Sequence, residues 1–127
     1  MPEENAHRRQ AEHNETFLAA WDLATSPYLD WAVTAVFYAA LHYIRALAAR
    51  HHFTNVSSYA DMDRLFERVA VFRRRHDLYA DYRQLKDDPR AARYECRRFV
   101  PAEVAGLRDE ELRRIRSFVL GELGTAA

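Results

Sequence analysis

The sequence predicts an all-α bundle of five to six helices. Three observations carry that reading. The 127 residues are 49% hydrophobic and 13% aromatic, enough for one packed core in a single domain spanning 1–127. Three Gly and four Pro are too few for a turn-rich β-sandwich. Apolar residues recur at three- and four-residue steps, and no alternating strand pattern of useful length occurs.

The first helix is expected from about Asn5 to Ala24, with Ala11, Asn14, Phe17, Leu18 and Trp21 forming one stripe. Ser26 and Pro27 end it, because proline disfavours a helical residue before it. Tyr28 to His52 reads as a second helix, apolar on nearly every side, so other helices or a partner subunit should surround it. A turn follows at Thr54 to Ser57, and Ser58 with Asp61 forms a capping-box pattern. Leu65, Val69 and Phe72 belong to the next helix. It either continues or restarts near Arg75, to place Leu78, Tyr79, Tyr82 and Leu85 on one face. Asp87, Asp88 and Pro89 are expected to break it, with Asp88 capping a short helix from Arg90 to about Phe99 that ends before Pro101. The last helix should run from Asp109 to about Leu123.

Charge sums to zero but is unevenly placed. Residues 1–30 carry a net −4 and residues 64–98 a net +5, and 18 of the 19 basic residues are Arg. Arg offers a planar fork of donors suited to phosphate, so the basic middle is a candidate phosphate-binding face. The plainer reading is an ordinary solvated surface.

One cysteine, Cys96, excludes an intrachain disulfide and a Cys-based zinc site. Residues 1–12 lack the apolar core of a signal peptide. The longest uncharged run, Trp31 to Ile44, is 14 residues, short of a membrane span. No membrane association is therefore expected, and a cytoplasmic location is the default. No phosphate-cradling loop, dinucleotide-binding glycine pattern or zinc helix is present, so no cofactor and no metal are expected. His51 and His52 are adjacent and point apart on a helix, which leaves them as solvated helix-end residues. His42, inside the apolar second helix, is either a hydrogen-bonded core imidazole or a pocket-lining group with a tuned pKa. Cys96 lies beside Arg93, Arg97 and Arg98, but a nucleophile also needs a base and an oriented site.

The segment Asp30-Trp31-Ala32-Val33-Thr34-Ala35-Val36-Phe37-Tyr38-Ala39-Ala40-Leu41-His42 resembles the signature of prokaryotic HEPN-domain proteins. The order of the flanking pieces resembles it too: His13-Asn14 and Phe17-Leu18 upstream, then Tyr82-x-x-Leu85 and Arg90-Ala91-Ala92-Arg93-Tyr94 downstream. Together they cover residues 11–95. The resemblance implies an up-and-down bundle that commonly pairs as a homodimer. Many members are metal-independent endoribonucleases in toxin–antitoxin, defence or RNA-processing systems. Others are noncatalytic modules for RNA, nucleotide or protein binding. The ribonuclease branch carries Arg, four to six residues, then His, the His moving protons and the Arg stabilising charge on the phosphorane.

This chain departs from that pattern. Arg90, in the expected place, is followed at those spacings by Glu95, Cys96 and Arg97. Arg8 with His13, and Arg45 with His51 or His52, meet the spacing elsewhere, about as often as chance allows among 18 Arg and six His. Two functions follow as expectations. The first is a noncatalytic, dimeric module binding RNA, a nucleotide or a partner protein. Its phosphate contacts would come from Arg73, Arg74, Arg75, Arg90 and Arg93, with Tyr94 stacking on a base. The second is a diverged ribonuclease in which Arg90 stabilises charge and Tyr94, Glu95 or His76 replaces the lost base.

Overall fold

The computed structural model of the protein describes residues 4–53, 56 and 58–124, with Tyr59 in its backbone only. These residues form an all-α helical bundle, with no strand among them. The elements are α1 (Glu4–Ala19), α2 (Leu29–Arg50), α3 (Tyr59–Arg68), α4 (Ala70–Arg73), α5 (His76–Tyr94), α6 (Pro101–Gly106) and α7 (Arg113–Glu122), and a π-helical turn (Leu107–Leu112) joins α6 to α7.

α2 occupies the centre. Its small residues Ala32, Ala39, Ala40, Ala46 and Ala48 are buried, so neighbouring backbones approach closely, while Val33, Val36, Tyr43, Ile44 and Leu47 fill the core around them. α1 lies antiparallel along α2: Glu4 pairs with Arg50 at 2.6 Å, and the Trp21 and Tyr28 rings meet at the opposite end, 6.2 Å apart. α5 and α7 cover another side, tied by the Arg114–Asp81 fork at 2.8 and 2.9 Å. Leu78, Tyr82 and Leu85 of α5 and Ile115 and Val119 of α7 are buried there. By length and composition α2 could cross a bilayer, despite the short uncharged run counted in the sequence. In the bundle, 61% of its apolar window is buried.

Several boundaries differ from the sequence expectation, each for a local reason. α1 stops at Ala19 because Asp22 organises a turn: its carboxylate accepts from Ala24 N at 3.0 Å and its carbonyl from Ser26 N at 2.9 Å. The Ser58–Asp61 capping box forms as expected, with Asp61 N donating to Ser58 Oγ at 3.1 Å and Ser58 N to Asp61 Oδ2 at 3.2 Å. The turn expected just before it lies outside the described residues except for Val56. Of the two alternatives past Phe72, the restart is the one observed: extended Val69 ends α3, and α5 begins at His76.

Pro89 does not break α5. Buried Leu78, Tyr82 and Leu85 before it and half-buried Ala91 and Ala92 after it hold the helix through the missing backbone donor. Asp88 is therefore no cap. It sits in the helix interior, 5% exposed, and accepts from Gln84 Nε2 at 3.0 Å and Arg97 Nη1 at 2.5 Å. The expected Arg90–Phe99 helix is absent: α5 ends at Tyr94, and Cys96 turns the chain in a left-handed conformation with φ 55°. Pro101, expected only to follow the end of a helix, starts one, since its missing N–H is no loss in the first turn and Glu103 accepts from Val100 N at 3.0 Å. The last helical run thus begins eight residues before the expected Asp109.

Candidate functional site

One strip of α2 is left uncovered. Trp31, Ala35, Tyr38 and His42 fall at steps of four, three and four, so they share a face. α1 presents Gln10, Asn14 and Phe17 beside them, and the turn between the helices adds Trp21 and Tyr28. The result is a groove of about 590 Å3. Phe17 and Tyr38 are 43% exposed and Tyr28 and Trp31 are 59% exposed, so four of the six large exposed hydrophobics among the described residues converge here. Convergence on that scale marks a binding surface rather than scattered surface residues. Both tryptophans of the chain line it. Phe17 packs on Trp21 with centroids 4.8 Å apart, which fixes the wall of the groove.

The polar groups are few and neutral. Gln10 Nε2 donates to Asn14 Oδ1 at 3.2 Å, which leaves the Gln10 carbonyl and the Asn14 amino group to meet the edge of a ligand. His42 lines the same groove, and its Nδ1 lies 3.0 Å from Nδ1 of buried His7. One imidazole must donate and the other accept, so a single proton lies between the two nitrogens. Burial, then the neighbouring His7, then Arg45 push the His42 pKa down to about 4. Burial, then Arg45, lower that of His7. Both readings of His42 from the sequence therefore meet in one residue, hydrogen-bonded and lining a pocket.

A second depression, about 480 Å3, lies where the residues at the start of α2 face the segment that follows α5. It is lined by Pro27, Leu29 and Asp30 on one side and by Cys96, Arg97 and Arg98 on the other. Arg97 is committed to Asp88 and Glu103, whereas Arg90, Arg93 and Arg98 are exposed and enter no ion pair with the described residues. Tyr94 is 75% exposed under the Arg93 guanidinium, which lies 5.5 Å from its ring centroid. The C-terminal end of α5 thus exposes the Arg90 and Arg93 guanidinium groups and the Tyr94 ring, and Arg98 just beyond it lines the second depression.

The structure divides the arginines expected to form one phosphate face. Arg75 and Arg90 are 15 residues apart, with most of α5 between them, about 22 Å at the helical rise. Arg73 and Arg74 are exposed at the far end, and Arg75 is held there by Asp77 at 3.0 Å and over the Phe118 ring. Arg90 and Tyr94, four apart, share a side of α5, and Glu95 follows them. His76 lies 14 residues before Arg90, about 21 Å along the helix, so within one chain it does not meet the other three. His51 and His52 are exposed past the end of α2. Cys96 is an exposed free thiol.

The groove's aromatic lining was missed in the sequence because an apolar helix was expected to be covered on every side. The spacing of Trp31, Tyr38 and His42 was the available signal. No group of three or more potential metal ligands occurs among the described residues. No protein-family model matches the chain, nor does any curated protein or solved structure.

Proposed function

We propose that this chain is a noncatalytic, HEPN-like binding module that takes a base of single-stranded RNA, or of a nucleotide, in the groove between α1 and α2. The observation that carries the reading is that groove: aromatic walls, neutral amide edges at Gln10 and Asn14, and an imidazole at His42. Bases stack on aromatic rings, each stack contributing about 1–3 kcal/mol, and the amides suit the hydrogen-bonding edge of a base. Phosphates would lie on the exposed Arg90 and Arg93 of α5 and on Arg98, which lines the depression at Pro27–Asp30. The Arg–His ribonuclease pair is missing at Arg90, and His76 stands too far along α5 to replace it within one chain.

The test is incubation of end-labelled structured and single-stranded RNA with the protein in excess chelator, beside Arg90→Ala. Intact RNA with saturable, salt-sensitive binding is the expected result. Cleavage by the wild type that Arg90→Ala loses would replace this reading with a diverged metal-independent ribonuclease.

The exposed rings also favour a second reading, a homodimer that covers them. Trp31, Tyr28, Tyr38 and Phe17 are the anchor types that dominate protein interfaces. Light scattering at micromolar concentration decides it: a dimer that Trp31→Glu converts to monomer places the second copy on the groove.

A further inference from the structure

α1 has a groove on its other flank as well, and its chemistry is different. Glu15, Leu18 and Ala19 of α1 face Arg108, Arg113 and Arg116 across a cavity of about 310 Å3. The π-helical turn Leu107–Leu112 shapes the far wall. In an uninterrupted α-helix, residues five apart such as Arg108 and Arg113 would diverge by about 140°. The wider π turn reduces that divergence, so both line the same cavity. Such turns are uncommon and recur at functional sites.

The charges of the lining do not cancel. Glu15 is fully engaged: one carboxylate oxygen accepts the Tyr43 hydroxyl, the other Arg116 Nη1 at 2.8 Å. Asp109, which also lines the cavity, is held by the Arg108 fork at 2.8 and 3.1 Å. Arg113 donates its Nε to the Asp109 carbonyl at 2.8 Å, which orients the guanidinium. Its two terminal amino groups meet no carboxylate among the described residues. Two carboxylates answer two of three arginines, and the third is left with a parallel pair of donors. That is the arrangement a phosphate oxyanion satisfies. Buried Leu18 and the Ala19 methyl supply an apolar wall beside it.

We infer that this cavity is a binding site for a small organic phosphate monoester. Arg113 is its principal ligand, Arg108 and Arg116 flank the phosphate, and a short aliphatic body rests on Leu18 and Ala19. The site is independent of the aromatic groove, which lies on the opposite flank of α1.

Monobutyl phosphate is a suitable probe because it carries no ring to enter the aromatic groove. Calorimetric titration at low ionic strength should show saturable one-to-one binding, with n-butanol giving none. Arg113→Gln, which keeps a donor for the Asp109 carbonyl, should weaken binding at least about tenfold. Arg113→Lys should fall between, since a point charge replaces the fork, and Trp31→Ala should leave the affinity unchanged. Absence of saturable binding, or equal affinity in Arg113→Gln, would overturn the inference and leave the reading of the aromatic groove untouched.

Discussion

Nδ1 of His7 and Nδ1 of His42 stand 3.0 Å apart, joining α1 to α2 through one shared proton at the inner wall of the aromatic groove. Protonating both rings would set two N–H groups against each other.

The pair therefore makes stability depend on pH, with a definite sign. His42 is held near 4 in the folded chain and titrates near 6.5 when unfolded, so between those values the unfolded chain binds more protons. The contribution is full above about pH 6.5 and is lost as pH falls toward 4. Discounted for the partial solvent access of His42, it amounts to about 1–2 kcal/mol. Urea unfolding at pH 7.5, 6 and 5 should show a steeper loss in the wild type than in His42→Gln. Equal slopes would contradict the assignment.

Asp88 ties the interior of α5 to the 95–100 segment. Asp88→Ala leaves Gln84 Nε2 without its partner and Arg97 with Glu103 alone, and should cost about 1–3 kcal/mol in urea unfolding. A change below about 0.5 kcal/mol would mean that the desolvation of this carboxylate cancels its bonds.

The two ends of α5 should behave differently toward RNA. Arg90→Ala or Arg93→Ala should weaken binding uniformly across sequences and lower the salt slope by about 1. Arg73→Ala, at the far end, should change neither. Equal effects at both ends, measured by fluorescence anisotropy over a salt series, would require a contact surface along the whole helix.

Trp31→Ala separates binding from folding. The side chain is 59% exposed, so its removal should shift stability by no more than about 0.5 kcal/mol. The loss of one stacked base should weaken RNA binding by about 1–3 kcal/mol. Parallel calorimetric melting and binding titrations check both halves.

The helices were legible in the sequence wherever apolar periodicity or a local cap defined them: α2, the Ser58–Asp61 box and the helix that ends near Leu123. The boundaries at proline were not. Pro89 reads as a stop and Pro101 as the residue before which a helix ends, yet packing of Leu85 and Ala92 carries α5 through the first, and the second is the opening residue of a helix. Local propensity yields to tertiary burial at Pro89, whereas Pro101 takes the first-turn position that proline favours. The sequence singles out His42, which lines the groove in the structure. It could not show that Trp31 and Tyr38 remain open, because an apolar side chain facing solvent and one facing a helix read alike. Nor could it separate Arg75 from Arg90, since distance along a helix matters only once α5 is known to be unbroken.

Because Trp21 and Trp31 are the only tryptophans and both line the groove, emission excited selectively at tryptophan reports on that site. Titrating the protein with a short single-stranded RNA, while anisotropy of a labelled copy confirms saturation, tests whether a base enters the groove. Base stacking in the groove predicts quenching that saturates together with binding and drops in Trp31→Ala. Emission that stays constant while the RNA is fully bound would contradict it, and would move the RNA away from the groove between α1 and α2.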